Sequence, residues 1–439
     1  MDVYANIFNP PDSFQNMAST KLIAVAVVAI VVVAAVGLVL MSGDEDSEYR
    51  SDNDQGRLKI FGNANNDDYL DEKDIEALES IISGEMEKTP FSDANQDGKV
   101  NQSDIDFVER MVDREKMTIY YLNNNSEVKS CAYPKSSVAA LPNTTLALMK
   151  SIGATDMIKG IPGGNLDATM FADLKESATV MSSKATDIDL DTAADEGIDC
   201  VVVDYSSVYL KNYEQFEKAQ IDVIRINAAG GLDSLDWALT VGSRLGLEEE
   251  SQAFVKFSDD LLKEMNDKLE TVSDADRVTT LSVTMSNSIG GIGSSSFVTS
   301  EDAGARNLAD WTTTTQKANV GDEWILKEQY SSDFIAHTCN YSFSTTSDEI
   351  QEIWDTYKVY FEGTDAYKDG GYFIFNSNVP VVIRIAYQVE MYYPDLFEEG
   401  YASGIIQEWI DTFIDNLHED GFTVGEDGIF LIKSDMVKV

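Results

Sequence analysis

Two short segments of the chain carry oxygen-bearing side chains at the spacing that calcium ligands need. The segments NANNDDYLDEKD (63–74) and DANQDGKVNQSD (93–104) align without gaps and begin 30 residues apart. Calcium takes roughly six to eight oxygen ligands, which a tight loop supplies from positions 1, 3, 5, 7, 9 and 12, position 7 through its backbone carbonyl. The sequence therefore predicts two calcium loops, with ligands from Asn63, Asn65, Asp67, Tyr69, Asp71 and Asp74 in the first and from Asp93, Asn95, Asp97, Lys99, Asn101 and Asp104 in the second.

Each loop leads into a segment whose apolar residues recur at helical spacing. Ile75, Leu78 and Ile82 follow the first loop, and Ile105, Val108 and Val112 follow the second. Apolar residues three to four apart form one face of an amphipathic helix. A polar turn before a helix would explain one such unit, but a paired repeat favours metal loops.

The paired loop–helix units resemble the type I dockerin module over about residues 58–116. Both loops end in Asp, where an EF-hand ends in a bidentate Glu. The second loop matches closely, with Gly98 at the sharp turn, whereas the first has Asn63 and Asp68 where the pattern has Asp and Gly. The resemblance implies Ca²⁺ binding and docking to a cohesin-like partner; a self-contained spacer without cohesin is the alternative. By the same resemblance, recognition would involve Glu72, Lys73, Gln102 and Ser103.

Residues 22–41 are uncharged and apolar, and this length is sufficient to cross a bilayer. A cleavable signal peptide has a shorter apolar core, so an uncleaved membrane anchor is favoured. Lys21 on one side of the segment places residues 1–21 in the cytoplasm by the positive-inside rule. The sequence thus predicts a single-pass protein of the cell membrane, with an acidic linker over 42–57 and the bulk of the chain extracellular.

Charge and cysteine content exclude several classes of function. The 439 residues contain 32 basic and 77 acidic side chains, a formal charge of −45. Such a chain repels nucleic acid, so no nucleic-acid partner is expected. Cys131, Cys200 and Cys339 are too few for a disulfide framework. Buried, unreactive thiols are favoured, although one long-range bridge stays open.

From Met117 onward, β-rich stretches alternate with helical patterns. Two β-rich stretches around NNNS begin the region, and strands are predicted at 137–141, 200–204 and in AQIDVIRINA, VTTLSVTM, DFIAHT and YFIFN. Helices are predicted from Pro142 to about Ile152, over EDAGARNLADW and, after a break at Gly246, over 248–270. This alternation predicts an α/β fold with a mainly parallel sheet.

Landmarks in this region resemble the substrate-binding proteins of iron-complex and cobalamin ABC importers, over roughly residues 118–415. They include VAALPNTT, DLDTAADEGIDCVVV, GLDSLDWALTVGSRLG before the long helix, VGDEWILKEQYSSDFIA and MYYPDLF, in the family's order. The resemblance implies two α/β lobes, 117–232 and 276–439, joined by a bridging helix within 233–275. It also implies an ABC importer permease as partner, contacted through Asp191 and Glu323.

Loops at strand ends should supply the ligand cleft between the lobes. The chain has only His337 and His418, so a multi-histidine pocket for a bare metal ion is not available. A transported metal chelate, such as a ferric siderophore, haem or a corrinoid, fits better, because aromatic rings and amides can hold it. Candidate ligand-binding residues are Asn143, Thr144, Tyr205, Ser286, Asn287, Trp311, His337 and Asn376.

Two other functions compete with the binding protein. A dockerin-borne enzyme acting on polysaccharides would use paired carboxylates, but no nucleophile–base constellation stands out, and no enzyme activity is expected. A cell-surface scaffold or adhesion protein is the other alternative, compatible with a receptor role. An acidic, tethered receptor also suits an archaeon without an outer membrane.

Overall fold

A computed structural model describes residues 57–123, 126–164, 166–284, 288–312, 316–317, 324–327 and 331–438. The predicted membrane anchor at 22–41 and the segments beside it lie outside the described residues. No helix within the described ranges is both long enough and apolar enough to cross a membrane.

The segment 58–116 folds as two short helices that pack together, α1 (Glu72–Ser83) and α2 (Gln102–Val112). Asp71 and Asn101 cap their N-termini, and Asp74 and Asp104 complete a capping box in each helix. Leu78, Ile105 and Val108 pack with Ala64 and Ala94 in a small core. The predicted apolar face of α1 needs one correction, because Ile81 is buried and Ile82 is exposed.

The small α-helical domain is continuous with a β-hairpin, β1 (Met117–Leu122) and β2 (Val128–Tyr133). Residues 59–61 lie beside β1, with a bridge between Ile60 and Tyr121 and a hydrogen bond from the Phe61 amide to the Tyr120 carbonyl at 2.9 Å. All the described residues fall in one compact unit. The helical domain therefore packs on the rest of the chain.

The first lobe is a parallel sheet in the order β5-β4-β3-β6-β7. The inner strand β6, CVVVD, is buried along its whole length, as expected for a parallel strand covered on both faces. The lobe consists of β3 (Val138–Leu141), α3 (Asn143–Ser151), β4 (Ile158–Pro162), α4 (Ala172–Ser177), β5 (Thr179–Ser182), α5 (Leu190–Asp195), β6 (Cys200–Asp204), α6 (Tyr213–Lys218) and β7 (Asp222–Ile226).

Two consecutive helices connect the lobes, α7 (Asp233–Leu245) and α8 (Glu248–Leu269). Gly246 ends α7 in the left-handed conformation, at φ 72°, which glycine adopts without the strain of a Cβ. The predicted break at this glycine is confirmed. At 22 residues, α8 is about 33 Å long.

The second lobe has a mixed sheet of seven described strands, in the order β11-β9-β8-β12-β13-β14, with β10 paired to β8. Strands β8, β10, β12 and β13 run parallel. Its elements are β8 (Thr279–Thr284), β9 (Ser288–Ile289), α9 (Ser295–Asp302), β10 (Arg306–Asn307), β11 (Gln316–Lys317), β12 (Phe334–Cys339), α10 (Ile350–Lys358), α11 (Asp365–Lys368), β13 (Tyr372–Asn376), α12 (Val381–Tyr392), α13 (Tyr401–Phe413), α14 (Asp415–Glu419) and β14 (Leu431–Lys433).

The observed architecture confirms the predicted α/β fold with two lobes, but one helix is displaced. The helix predicted over EDAGARNLADW lies earlier, over Ser295–Asp302, because the Ser294 hydroxyl caps its start by accepting from the Phe297 amide. Gly304, at φ 79°, stops it, and the chain then forms β10. Cys131, Cys200 and Cys339 are all buried and unpaired, so the expectation of buried free thiols is confirmed and the alternative of a disulfide bridge is not.

Candidate functional site

Each lobe has one pair of neighbouring parallel strands whose connections leave in opposite directions. In the first lobe these are β3 and β6, since β3 leads to β4 and β6 to β7. In the second lobe they are β8 and β12. Open α/β sheets bind ligands in the crevice outside the carboxyl ends of such strands. Asn143 and Thr144 follow β3, and Tyr205 follows β6, so the topology brings these predicted residues to one crevice.

Helices α3 and α12, which follow β3 and β13, border a small cavity between the lobes. Thr144 of α3 lies on one side, and Asn378, Pro380 and Val381 at the start of α12 lie on the other, with Phe254 of α8 also in the wall. The cavity measures about 20 Å³, which is close to the space of one water molecule. A cavity of this size does not hold a haem-sized ligand.

Arg384 of α12 crosses from the second lobe to the end of the first. Its guanidinium donates to the Ala229 carbonyl at 3.3 Å and to the Ser295 hydroxyl at 3.1 Å. Ser295 in turn donates to the same Ala229 carbonyl at 2.8 Å. Burial lowers the pKa of Arg384 to about 10, against an opposing effect of Asp233. This arginine holds the starts of α9 and α12 against the chain segment after β7.

Further contacts join the lobes directly. The Asp167 carboxylate accepts from the Ser342 hydroxyl at 3.0 Å and from the Phe343 amide at 3.1 Å. Lys150 donates to the Asn416 side-chain oxygen at 2.6 Å, and the Trp409 indole donates to the Ser151 hydroxyl at 3.0 Å. Both lobes are thus in direct contact through buried or half-buried polar groups.

Large apolar side chains are exposed at the carboxyl edges of both sheets. Tyr205 is 52% exposed and Val208 is 50% exposed in the loop after β6. Trp311, 56% exposed, follows β10, which runs parallel to β8. Ile292, 48% exposed, is held near it by a hydrogen bond from its amide to the Thr312 carbonyl. Exposed aromatic and aliphatic groups beside a crevice are typical of a ligand-binding rim.

His337 and Asn376 are placed in the interior of the second lobe. His337 is fully buried, with its Nδ1 2.9 Å from the Tyr372 hydroxyl and its ring against Tyr357 and Phe361. Asn376 is also fully buried and donates to the Tyr341 carbonyl at 2.9 Å. Its side-chain oxygen accepts from the Asn378 amide at 3.0 Å, so Asn376 positions the loop that borders the cavity.

Three of the predicted site residues lie outside the described residues: Ser286, Asn287 and Glu323. Asp191 is exposed in the first turn of α5, a position open to a partner. Its role in permease contact stays a prediction, as do the ligand roles of Asn143, Thr144, Tyr205 and Trp311.

The second predicted calcium loop folds with its side-chain oxygens turned onto its own backbone. The two carboxylate oxygens of Asp93 accept from the Asp97 amide at 3.1 Å and the Gly98 amide at 2.9 Å. Asp104 accepts from the Asn101 amide at 2.9 Å and the Asn95 amide at 3.3 Å. Gly98 turns the chain at φ 88°. These bonds fix the loop shape that the sequence predicts.

The first loop differs at the two positions where its sequence departs from the pattern. Asn63 is fully buried and its amide donates to the Leu58 and Asp67 carbonyls, at 3.0 and 2.7 Å. Asp68 does not adopt a positive φ as Gly98 does. Its carboxylate instead accepts from the Arg57 amide at 2.8 Å and from the Arg57 guanidinium. Within the described part of the chain, no three His, Cys, Asp or Glu side chains form a group that could hold a metal ion. Calcium binding therefore stays a prediction.

Arg57 also reaches the bridging helix, a contact that sequence reasoning missed. Its Nη1 and Nη2 donate to the two carboxylate oxygens of Asp259 in α8, at 2.9 and 2.7 Å. Burial opposes the charge, but Asp259 and Asp68 together hold the pKa of Arg57 above its ordinary value. The partners are 202 residues apart in sequence, and no local signal connects them.

Neither a family model nor a curated protein matches the sequence. Solved structures do match the fold. A TroA-like periplasmic binding protein, FepB from Veillonella parvula, is 16% identical with a TM-score of 0.57, over 72% of this chain and 99% of that one. The Haemophilus influenzae protein MolA bound to molybdate is 15% identical with a TM-score of 0.53, over 67% and 98% of the two chains. CeuE from Helicobacter pylori in a nickel–histidine complex is 12% identical with a TM-score of 0.53, over 69% and 99%.

The structural neighbours are periplasmic binding proteins of the TroA-like kind and substrate-binding proteins of ABC transporters. At these identities the likeness shows the fold alone. The two-lobe architecture predicted from the sequence landmarks is therefore confirmed, whereas the ligand and the calcium-loop module are not tested by it.

Proposed function

We propose that this chain is an extracellular substrate-binding protein that delivers a chelated metal, such as a ferric siderophore, haem or a corrinoid, to an ABC importer. The observation that carries the proposal is the pair of strand ends at β3 and β6, followed by the exposed ring of Tyr205, together with the exposed ring of Trp311 after β10 in the second lobe. Those rings offer flat apolar area to a macrocycle or chelate, and Asn143 and Thr144 offer polar groups that fix its orientation.

The available side chains favour a chelate over a bare transition metal. Of the two histidines in the chain, His337 is buried against Tyr372 and His418 lies beside Asp411. A transition-metal site needs several imidazole or thiolate ligands, and all three cysteines are buried in the core. A metal that arrives with its own ligands does not need them.

Loading requires the lobes to separate, because the cavity between them measures only about 20 Å³. The contacts of Asp167 with Ser342 and Phe343 would open, while Phe254 of the rigid helix α8 stays in place as the floor. Binding proteins that open and close around a fixed hinge are a known mode of domain closure. The loaded protein would meet the permease through Asp191 on the first lobe and Glu323 on the second.

The proposal extends to the N-terminal part of the chain. Residues 22–41 would anchor the protein in the cell membrane, with the acidic linker and all later residues outside. The paired loops would bind Ca²⁺ and form a dockerin-like module, docked to a cohesin-like partner or serving as a calcium-stiffened spacer. The loop shape of residues 93–104, with Asp93 and Asp104 turned inward, supports this part.

Direct binding measurements test the proposal. The full chain is titrated with ferric siderophores, haem and corrinoids, with tryptophan fluorescence and equilibrium dialysis as readouts. At least one chelate should bind, and Trp311→Ala and Tyr205→Ala should each weaken it about tenfold, since an aromatic contact with its buried area contributes roughly 1–2 kcal/mol. Val180→Ala, a similarly exposed side chain on the edge strand β5, is the matched control.

The rival functions predict different results. Failure of every chelate to bind, together with release of sugars from a polysaccharide, would overturn the receptor and favour the enzyme. Failure of every chelate together with cohesin capture would favour the scaffold or adhesion protein.

A further inference from the structure

A second concave site lies on the first lobe, away from the crevice between the lobes. We call it the outer groove; its volume is about 560 Å³, within the range of small-molecule sites, which is roughly 300–1,000 Å³. It lies between the β1–β2 hairpin, α6, β7 and α7, and it shares no residue with the cavity beside Thr144 and Asn378. The side chains that line it include Tyr121, Lys129, Tyr213, Arg225, Trp237 and Arg244.

Arg244 is the unusual residue of the outer groove. It is fully buried, and none of its three guanidinium nitrogens has a hydrogen-bond partner of normal geometry, although the Cys131 thiol and the Tyr121 hydroxyl lie close to it. Its guanidinium lies over the ring of Tyr121, 3.8 Å from the ring centre. An arginine has five N–H donors and keeps its charge in proteins, so burial without an acceptor is costly. A cation–π contact recovers only a part of that cost.

The fold holds Arg244 rigidly in this position. Trp237, Thr240 and Arg244 recur at helical spacing on α7, and the hairpin strand covers this face. The Lys59 amide donates to the Thr240 hydroxyl, and the Lys59 ammonium lies 5.7 Å from the Trp237 ring centre. The Lys135 amide donates to the Arg244 carbonyl at 3.1 Å. The backbone at Arg244 is therefore held in place, and because the guanidinium nitrogens are buried, a ligand in the groove would contact them only after the covering side chains shift.

Lys129 and Arg225, two other cations of the groove, already have partners. Lys129 pairs with Glu127 at 3.1 Å. Arg225 lies over the Tyr213 ring and donates to the carbonyls of Tyr205, Tyr209 and Leu210. Glu214, Glu217 and Lys218 of α6 line the outer side. Among the arginines of the groove, Arg244 is thus the one without an acceptor of normal hydrogen-bond geometry, and a negative group of a ligand would supply it.

We propose that the outer groove binds a small organic oxyanion, whose carboxylate or phosphate accepts hydrogen bonds from Arg244. Planar guanidinium groups match both of these anions with two parallel hydrogen bonds. The apolar part of the ligand would lie against Trp237 and Tyr213, which border the same groove. This site is independent of the chelate proposed for the crevice between the lobes.

Four probes on the full chain test the site. Benzoate and phenyl phosphate carry the two candidate anions on the same ring, inorganic phosphate carries the anion alone, and methyl benzoate keeps the ring without the charge. Calorimetry and the rise in thermal unfolding temperature report binding. At least one of benzoate and phenyl phosphate should bind at least tenfold more tightly than methyl benzoate, and their ratio identifies the preferred anion.

Substitutions locate the site. Arg244→Gln should weaken the charged probe at least tenfold and abolish its advantage over methyl benzoate. Arg277→Gln removes an equal charge from the exposed surface and should leave affinity unchanged. If Arg244→Gln fails to fold, the comparison of charged and neutral probes on the unmodified chain still decides. Affinities for benzoate and for phenyl phosphate that both equal the affinity for methyl benzoate, no binding of any probe, or unchanged affinity of the charged probe in Arg244→Gln would overturn the proposal.

Discussion

Arg57 connects the small helical domain to the bridging helix, and its removal should loosen that domain. The side chains of Arg57, Asp68 and Asp259 are 11%, 23% and 5% exposed, so the cluster is largely desolvated. Removing one partner of a buried ion pair costs about 3–5 kcal/mol, because the remaining charge stays buried. The partial exposure of Asp68 places Arg57→Met at the lower end, at about 3 kcal/mol.

Hydrogen exchange is the suitable assay, because a chain with several structural units need not unfold in one step. The loss of about 3 kcal/mol raises the population of locally opened domain about a hundredfold. The amides of α1 should therefore exchange about a hundredfold faster in Arg57→Met, while those of β6 and β13 should not change.

Two comparisons make the prediction specific. Lys256→Met removes an exposed pair with Asp260 on the same helix, and it should change exchange less than threefold. Arg57→Met combined with Asp259→Leu should recover most of the loss, since replacing both charges of a buried pair with apolar groups is often neutral. Exchange of α1 within threefold of the unmodified chain in Arg57→Met would refute the reasoning.

Three other outcomes are expected. Burial raises the pKa of Asp74 from 3.8 to about 7, so the folded state keeps a proton on Asp74 to a higher pH than the unfolded state does. With calcium removed by a chelator, the free energy of unfolding should therefore fall by up to about 4 kcal/mol between pH 4 and pH 8, and Asp74→Asn should reduce this dependence on pH. Asp167→Ala should weaken the contact between the lobes by about 1–3 kcal/mol and speed the release of a bound chelate. Scattering would measure the separation of the lobes, and stopped-flow fluorescence would measure the release rate. An unchanged release rate would show that this contact does not control opening. Burial raises the pKa of Cys200 and of Cys339 to about 12, so a thiol reagent at pH 8 should label the native chain slowly and all three cysteines after denaturation.

Strands with strong local signals could be predicted from the sequence almost residue by residue. CVVVD and YFIFN became β6 and β13 at the predicted bounds, because short apolar runs between turn residues have few other solutions. The break at Gly246 was also predictable, since a left-handed residue ends a helix there. The helix near residue 300 was misplaced because a serine cap and Gly304 outweighed the apolar pattern of the following residues.

The candidate sites were less predictable, because they depend on contacts distant in sequence. Asn143, Thr144 and Tyr205 could be assigned to a crevice from strand ends alone. Arg384 could not, since its partner Ala229 is 155 residues away. Likewise, the sequence placed His337 at a strand end, but the aromatic residues that enclose it come from other segments of the lobe.

The clamp at Arg57 also has a mechanical consequence. Residues 59–61 lie beside β1, and Arg57 holds α8 through Asp259. A pull on the chain before Arg57 would therefore load the middle of the longest described helix and one edge of the hairpin at once. Because Phe254 of the same helix borders the cavity between the lobes, such a load would act close to the proposed ligand site.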